Sequence, residues 1–401
     1  MCVEWKELRC ALRGVSAYKQ LTGAPELALM GQLLDALEAG RGEEALDRYT
    51  QLFYTLKEGN YAGLGAWLWD ALRYRTSPYA RRVEEGREDP VLTAAARRDV
   101  ETLGRLAALD SRVLVEAMAA RLPRAYEPVC AALPGWEPAA PFSFEALTAF
   151  YRTHGAGLFA QYRAFLWEGG ELRPVADPDS PGPEEMLGYR RQREQVQANT
   201  RAMLEGRAVN NVLLYGESGT GKSATVKSLL ALPGFENLRL IEVQKEELAD
   251  LPDLIRALAG RKPKFILFID DLAFDQDDRT YSALKTILEG GLEKRPANVA
   301  IYATSNRRHL VRQTFSDRAG DEVDAFETIQ EKTSLAERFG LRIPYLALSK
   351  AEYLDMVEAM AARAGIAMDR EELRAEAVKW EMHHPGRTPR IVRQFIASLA
   401  M

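Results

Sequence analysis

Residues 216–223 read Gly-Glu-Ser-Gly-Thr-Gly-Lys-Ser, directly after the apolar run Val212-Leu213-Leu214-Tyr215 and before a helix-forming stretch. The pattern G-x-x-x-x-G-K-S constrains the fold sharply, because a strand must deliver the loop and a helix must receive it. The glycines let the backbone curl until successive N–H groups face one anion. In this reading Gly216, Glu217, Ser218, Gly219, Thr220 and Gly221 cradle phosphates. Lys222 then meets the β- and γ-phosphates, and the Ser223 hydroxyl serves Mg²⁺. A plain glycine-rich turn is the bland alternative, and the flanking strand argues against it. The expected ligand is a nucleoside triphosphate.

At 401 residues the chain is expected to hold two or three domains. A hydrophobic share of 47% with 28% charged residues describes an ordinary soluble protein. No apolar run approaches the roughly 20 residues of a membrane span, and the first residues lack the apolar block of a signal peptide. Cys2, Cys10 and Cys130 form no disulfide framework or metal-ligand spacing, which suits a reducing cytoplasm. His154 and His309 stand alone and His383-His384 are adjacent, so no zinc site is expected. The net charge of −5 offers no global electrostatic case for nucleic acid.

Residues 1–168 read as an all-helical N-terminal domain of unknown role. Leu27, Met30, Leu34 and Leu37 repeat at helical spacing, as do Leu46, Tyr49, Phe53 and Leu56. Trp67, Trp69 and Trp136 are expected to pack rather than cage a ligand. Arg73, Arg75, Arg81 and Arg82 read as a solvated helix face or a contact for an acidic partner. Residues 169–183, with four prolines, read as a linker. Apolar runs at 211–215, 238–243, 264–269, 298–303 and 341–348 predict parallel strands buried on both faces, so 184–348 is expected to be an α/β nucleotide-binding domain. Helices at about 349–364, 369–383 and 388–399 predict a lid spanning 349–401.

Four further strings carry chemistry. The strand 264–269 ends in Asp270-Asp271, where Asp270 would hold Mg²⁺ and Asp271 would polarise the attacking water. Asn306 closes Ala303-Thr304-Ser305-Asn306 and would orient water, or simply end a strand. Arg338, in Leu335-Ala-Glu-Arg-Phe-Gly, carries a rigid fork suited to phosphoryl oxygens across a subunit boundary. Arg390 follows Pro389 in the first turn of the last helix and would project towards the nucleotide.

In this order the five motifs resemble AAA+ ATPases across about 184–401. The resemblance implies an α/β P-loop NTPase with a five-stranded parallel sheet and a small helical lid, behind the all-α N-terminal domain. It also implies Walker A at 216–223, Walker B at 266–271, sensor 1 at Asn306, an arginine finger at Arg338 and sensor 2 at Arg390. Thr388-Pro389-Arg390-Ile391 is similar to the sensor 2 of Holliday-junction branch-migration motors. Leu187-Gly188-Tyr189, followed by Arg191-Gln192, looks like the segment that lines the adenine pocket, which implies Gly188 and Tyr189 as nucleotide contacts. A closer match is the bacterial family grouped as domain of unknown function 815. It is carried by NVLLYGESGTGKS, FILFIDDLAF, LEGGLE, IYATSNRRHL, SLAERFG and the late Trp380-Glu381. Two features depart from the usual AAA+ pattern. Walker B ends Asp-Asp rather than Asp-Glu, which shortens the water-activating side chain by a methylene. The strand 238–243 is followed by Gln244-Lys-Glu-Glu-Leu-Ala-Asp, with no aromatic–apolar–Gly pore triplet.

The expected function is ATP binding with Mg²⁺ and hydrolysis to ADP and phosphate. It would be coupled to the assembly or remodelling of an unknown protein or nucleic-acid client. Such an ATPase would form a homo-oligomer, a ring or open ring, in its ATP state, in the cytoplasm and away from membranes. One alternative is a nucleic-acid remodeller or helicase loader, drawing on Arg307-Arg308-His309 and Arg312. The structural alternative is that Arg307 or Arg308 faces the neighbouring nucleotide or pairs with Asp317 and Asp321. Another alternative is a nucleotide-gated binding switch with negligible turnover.

Overall fold

Helix starts in the N-terminal part of the chain are set by proline and by side-chain caps. Pro25, Pro78 and Pro90 each open a helix, where a missing N–H is harmless. The Ser77, Asp89 and Ser143 side chains each accept a backbone N–H from three residues on, at 3.0 Å. A cap of this kind contributes about 1 kcal/mol. The structure, a computed structural model, describes residues 4–87, 89–274, 279–289, 295–306, 335–384 and 386–399. The chain divides into two units, Met1–Gln161 and Tyr162–Met401.

The first unit is helical, from Trp5–Arg13 to Leu158–Gln161. Leu27, Met30, Leu34 and Leu37 are buried on the helix Pro25–Glu38. On Gly42–Glu58 the buried stripe is Ala45, Tyr49, Leu52 and Leu56, so Leu46 and Phe53 are only partly covered. Trp67 and Trp136 are buried, and Trp136 stacks on Tyr49 with centroids 5.4 Å apart. A buried carboxylate fixes the turn after the first helix. Asp99 accepts the N–H groups of Ser16 and Ala17 at 2.8 and 2.7 Å, which offsets the cost of burying it.

The second unit is built on a seven-stranded sheet, two strands more than the expected five. The strands are β1 (Ala164–Glu168), β2 (Glu171–Val175), β3 (Val212–Gly216), β4 (Leu238–Val243), β5 (Lys264–Ile269), β6 (Val299–Ser305) and β7 (Leu341–Tyr345), in the spatial order β2-β1-β4-β5-β6-β3-β7. All neighbours are parallel except the β1–β2 hairpin. That hairpin corrects two expectations, since 164–168 is strand rather than helix and 171–175 is strand rather than linker. Gly169 and Gly170, with φ of 59° and 77°, make the two-residue turn that antiparallel strands favour. Pro174 is tolerated because β2 is an edge strand.

The strand β5 is buried from Phe265 to Ile269 and β6 along its whole length, as expected for strands covered on both faces. The loop-bearing strand β3 lies between β6 and β7, while β4, the next strand in sequence, lies beyond β5. A doubly wound parallel sheet of this kind opens a crevice at the C-terminal ends of its strands, where the order reverses. The helices Lys350–Arg363, Arg370–His383 and Pro389–Leu399 follow β7 and share a core around Tyr353, Val357, Ala377, Val392 and Phe395. Ser349 and Glu352 form a capping box at the first of them. Among the described residues no helix is long and apolar enough to cross a membrane.

Candidate functional site

The register of the sheet brings the sequence strings together. Tyr215 pairs with Ser305 and Ile269 with Ala303. Gly216 therefore leaves the sheet beside Asn306, and Asp270 leaves it beside Thr304. Gly216 has φ 135°, and a Cβ placed there would lie 2.1 Å from the Tyr345 carbonyl oxygen. Only glycine fits where the loop turns this close to β7.

Lys222 opens the helix Lys222–Lys227, its side chain folded back under the loop. Its ammonium donates to the carbonyls of Gly216 and Glu217 at 3.0 and 2.7 Å, and to Asn306 Oδ1 at 2.9 Å. The Asn306 amide in turn donates to Asp271 Oδ1 at 2.7 Å. Ser223 Oγ donates to Asp270 Oδ1 at 2.6 Å. The Asp271 N–H reaches Asp270 Oδ1 at 3.2 Å, so Lys222, Ser223, Asp270, Asp271 and Asn306 stand in one connected polar cluster. Burial lowers the Lys222 pKa from the ordinary lysine value; the charges of Asp271 and Asp270 oppose that shift, and Arg390 adds to it.

Thr304 is the residue that sequence reading missed. Its hydroxyl donates to Asp270 Oδ1 at 2.5 Å and accepts the Asp271 N–H at 2.9 Å. Its carbonyl accepts the Leu272 N–H at 2.7 Å. Held this way, Asp271 takes φ 49°, a left-handed conformation that a non-glycine residue keeps only under strong local constraint. Thr304→Val removes the hydroxyl from a buried strand end and leaves the Asp271 N–H and Asp270 without it. On the ATPase reading expected from the sequence, the variant's ATP turnover should fall about tenfold while ATP binding persists. Unchanged turnover in a steady-state assay would show that Thr304 does not position Asp271.

A cleft of about 480 Å³ opens over this cluster. Beyond the five clustered residues, Ser218, Gly219, Gly221 and Thr304 line it from the sheet side, and Arg390, Arg393 and Gln394 from the last helix. Arg390 packs on Gly219, donating its backbone N–H to the Gly219 carbonyl at 3.2 Å, while its guanidinium reaches Ser218 Oγ at 3.4 Å. Arg393 and Gln394 were also missed, although they stand three and four residues after Arg390 and so share its helix face.

Gly188 and Tyr189 lie beside a second, much smaller recess that Thr220, Gly221 and Arg393 also line. Tyr189 stacks on Tyr345 with ring centroids 4.9 Å apart and donates to the Leu346 carbonyl. Burial raises its pKa above the ordinary tyrosine value, which keeps the hydroxyl a donor. Arg338 stands elsewhere. It is exposed, just after a helical turn at 335–337, and is not among the residues that line the cleft of its own chain. Arg307, Arg308, His309, Arg312, Asp317 and Asp321 lie outside the described residues.

The donor set fits Mg²⁺ with a nucleotide. Among the described residues no group of three or more His, Cys, Asp or Glu could hold a metal. A paired hydroxyl and carboxylate, as in Ser223 and Asp270, is what Mg²⁺ needs when phosphates and water supply the rest. The cleft also carries fixed positive charge from Lys222 and Arg390 next to the loop N–H groups.

No match was found among curated proteins. Among solved structures, the RuvB Holliday junction branch migration motor of Thermotoga maritima is similar over 55% of this chain and 63% of its own, at 16% identity and a TM-score of 0.35. A mutant of the same RuvB is similar over 55% and 64%, at 15% identity and the same TM-score. The chain thus spans less than two thirds of these RuvB chains. Residues 160–401 match the model of the family described as "Protein of unknown function (DUF815)", so over more than half its length the chain belongs to that family.

Proposed function

We propose that this chain is an AAA+ type ATPase that binds ATP with Mg²⁺ in the cleft over residues 216–223 and hydrolyses it to ADP and phosphate. The observation that carries the reading is the connected cluster of Lys222, Asn306, Asp271, Asp270 and Ser223 at the mouth of a phosphate-binding loop. Ser223 and Asp270 would hold the metal, which supplies charge neutralisation at the phosphates when bound. Asp271 would accept a proton from water, with Asn306 fixing the carboxylate and Lys222 at once. Gly188 and Tyr189 would border the base, and Arg390 would bring the last helix onto the phosphates. The ATP-bound chain would form a homo-oligomer, and hydrolysis would be coupled to the assembly or remodelling of a protein or nucleic-acid client.

Asp271→Asn tests the catalytic part. The amide keeps the shape and a contact to Asn306 but cannot take a proton, so turnover is expected to fall by about 10² or more with ATP still bound. Hydrolysis by Asp271→Asn at the wild-type rate would remove Asp271 from the role. In that case Asp275 or Asp278, acids a few residues further on that lie outside the described residues, would be the next candidates to polarise the water. ATP binding by the wild type with no measurable turnover would favour the nucleotide-gated switch instead.

A further inference from the structure

The four arginines between 73 and 82 do not share one environment. Arg73 sits 5.3 Å from the Trp69 ring and pairs with Asp70 at 2.5 Å, and Arg75 lies 5.5 Å from the Trp67 ring. Arg82 instead lines a cleft of about 530 Å³ in the helical unit, bounded by the helices Pro78–Glu84, Pro90–Ala107 and Phe144–His154. Arg87, Arg97 and Arg152 line it too, and among the described residues Asp89 and Glu145 are its only acidic lining residues. The floor is closed by Tyr79, Phe144 and Thr148, which are 3%, 6% and 8% exposed.

The charges in this cleft do not balance. Glu145 is taken by Arg97 at 2.6 Å, whose guanidinium lies 4.4 Å from the Phe144 ring centre. Asp89 caps its helix by accepting the Leu92 N–H, and Arg87 pairs with Glu85 at 3.3 Å. Among the described residues Arg82 and Arg152 have no ion-pair partner. Burial raises the Tyr79 pKa, and the charges of Arg152 and Arg97 act against that rise, so both lie near the floor. The floor hydroxyls are committed. Thr148 donates to the Phe144 carbonyl at 2.8 Å, so the 2.8 Å contact between Tyr79 and Thr148 must run from Tyr79. Recognition therefore falls to the guanidinium groups.

We propose that this cleft binds a phosphate group. Arg82 and Arg152, neither with an ion-pair partner among the described residues, can each turn a fork to a phosphate monoester, which carries about −1.5 to −2 at neutral pH and three terminal oxygens, whereas a single carboxylate has oxygens for one fork. The planar guanidinium fork fits phosphate oxygens in bidentate geometry. The volume falls in the range of about 300–1,000 Å³ typical of small-ligand pockets, and the Phe144 ring offers an apolar wall to whatever carries the phosphate. The carrier is a small phosphorylated molecule or a phosphorylated peptide side chain, and the same chemistry reads both.

The test uses the full chain carrying Lys222→Ala, so that phosphate cannot report on the nucleotide cleft. Calorimetry is run with glucose 6-phosphate, a phosphoserine tripeptide and succinate at about 0.1 M salt. Saturable binding of at least one phosphate probe is expected, with succinate much weaker. Adding Arg82→Ala and Arg152→Ala should weaken that binding about tenfold or more, leaving thermal unfolding unchanged. On the otherwise wild-type chain the same pair should leave ATP turnover unchanged. Should the alanine pair fail to fold, Arg82→Lys with Arg152→Lys keeps the charge, loses the fork and should still weaken binding several-fold. Binding of the tripeptide alone would name a peptide as the carrier, and binding of the sugar phosphate a small molecule. No phosphate binding, binding that survives the arginine substitutions, or succinate binding as tightly as phosphate would each overturn the proposal.

Discussion

Lys222→Ala is expected to lower ATP affinity by about a hundredfold or more, because it removes the cation that would make charge-assisted bonds to the phosphates. The Lys222 side chain is almost fully buried and already satisfied by two loop carbonyls and Asn306. Its burial disfavours the charged form, and the neighbouring Asp271 and Asp270 act to restore it. A buried ammonium held this way serves little structural purpose that alanine would forfeit, since truncation also removes a desolvation cost. Secondary structure should therefore survive, and circular dichroism of the variant should overlay that of the wild type. What is lost is the charge at the mouth of the loop, together with the link from Gly216 through Asn306 to Asp271. Calorimetric titration with Mg²⁺-ATP measures the effect directly. Equal affinity in variant and wild type would mean that the loop at 216–223 is not where nucleotide binds, and the functional reading would fall with it.

The parts of the site that were legible in the sequence are those set by local chemistry. Glycines at fixed offsets before Lys222, acids at the end of an apolar run, and Pro389-Arg390 opening a helix each declare themselves within a few residues. The strands were legible for the same reason, since a run such as Lys264–Ile269 is apolar on both faces and short. Thr304 was not legible, because its role comes from the pairing of Ile269 with Ala303, which sets its hydroxyl beside Asp270. No local pattern marks that. The β1–β2 hairpin was hidden differently. Its Gly169-Gly170 turn between two five-residue runs is a hairpin signal, but the four prolines of 169–183 make the stretch read as a linker, and an edge strand is where a proline such as Pro174 can sit. In the all-helical unit, spacing identified buried faces such as Leu27 to Leu37. It carried no sign of the arginine-lined cleft, which is assembled from two consecutive helices and a third, Phe144–His154, that returns to them much later in the chain.

Arg338→Ala is expected to bind ATP normally and to lose about 10³ or more in turnover, the factor an arginine finger supplies. The argument is one of reach. β7 runs parallel to β3 and pairs Tyr345 with Gly216, so the C-terminal end of β7 adjoins the phosphate loop. Arg338 precedes the other end of β7, roughly 13 Å or more along the strand at 3.3 Å per residue. It is exposed there and does not line its own chain's cleft. Any action on phosphate must then fall on a neighbouring copy, through a head-to-tail contact of the kind that closes rings. Complementation separates this from a structural role. Lys222→Ala has an intact Arg338 but no working loop, and Arg338→Ala has the loop but no arginine. Each alone should be nearly inactive. In a random equal mixture, about a quarter of all interfaces pair an intact loop with an intact Arg338, so turnover should recover towards about a quarter of wild type. Sedimentation establishes that the two variants co-assemble. Turnover in the co-assembled mixture no higher than the sum of the separate proteins would exclude Arg338 from acting across subunits, and wild-type turnover in Arg338→Ala alone would exclude it from catalysis altogether.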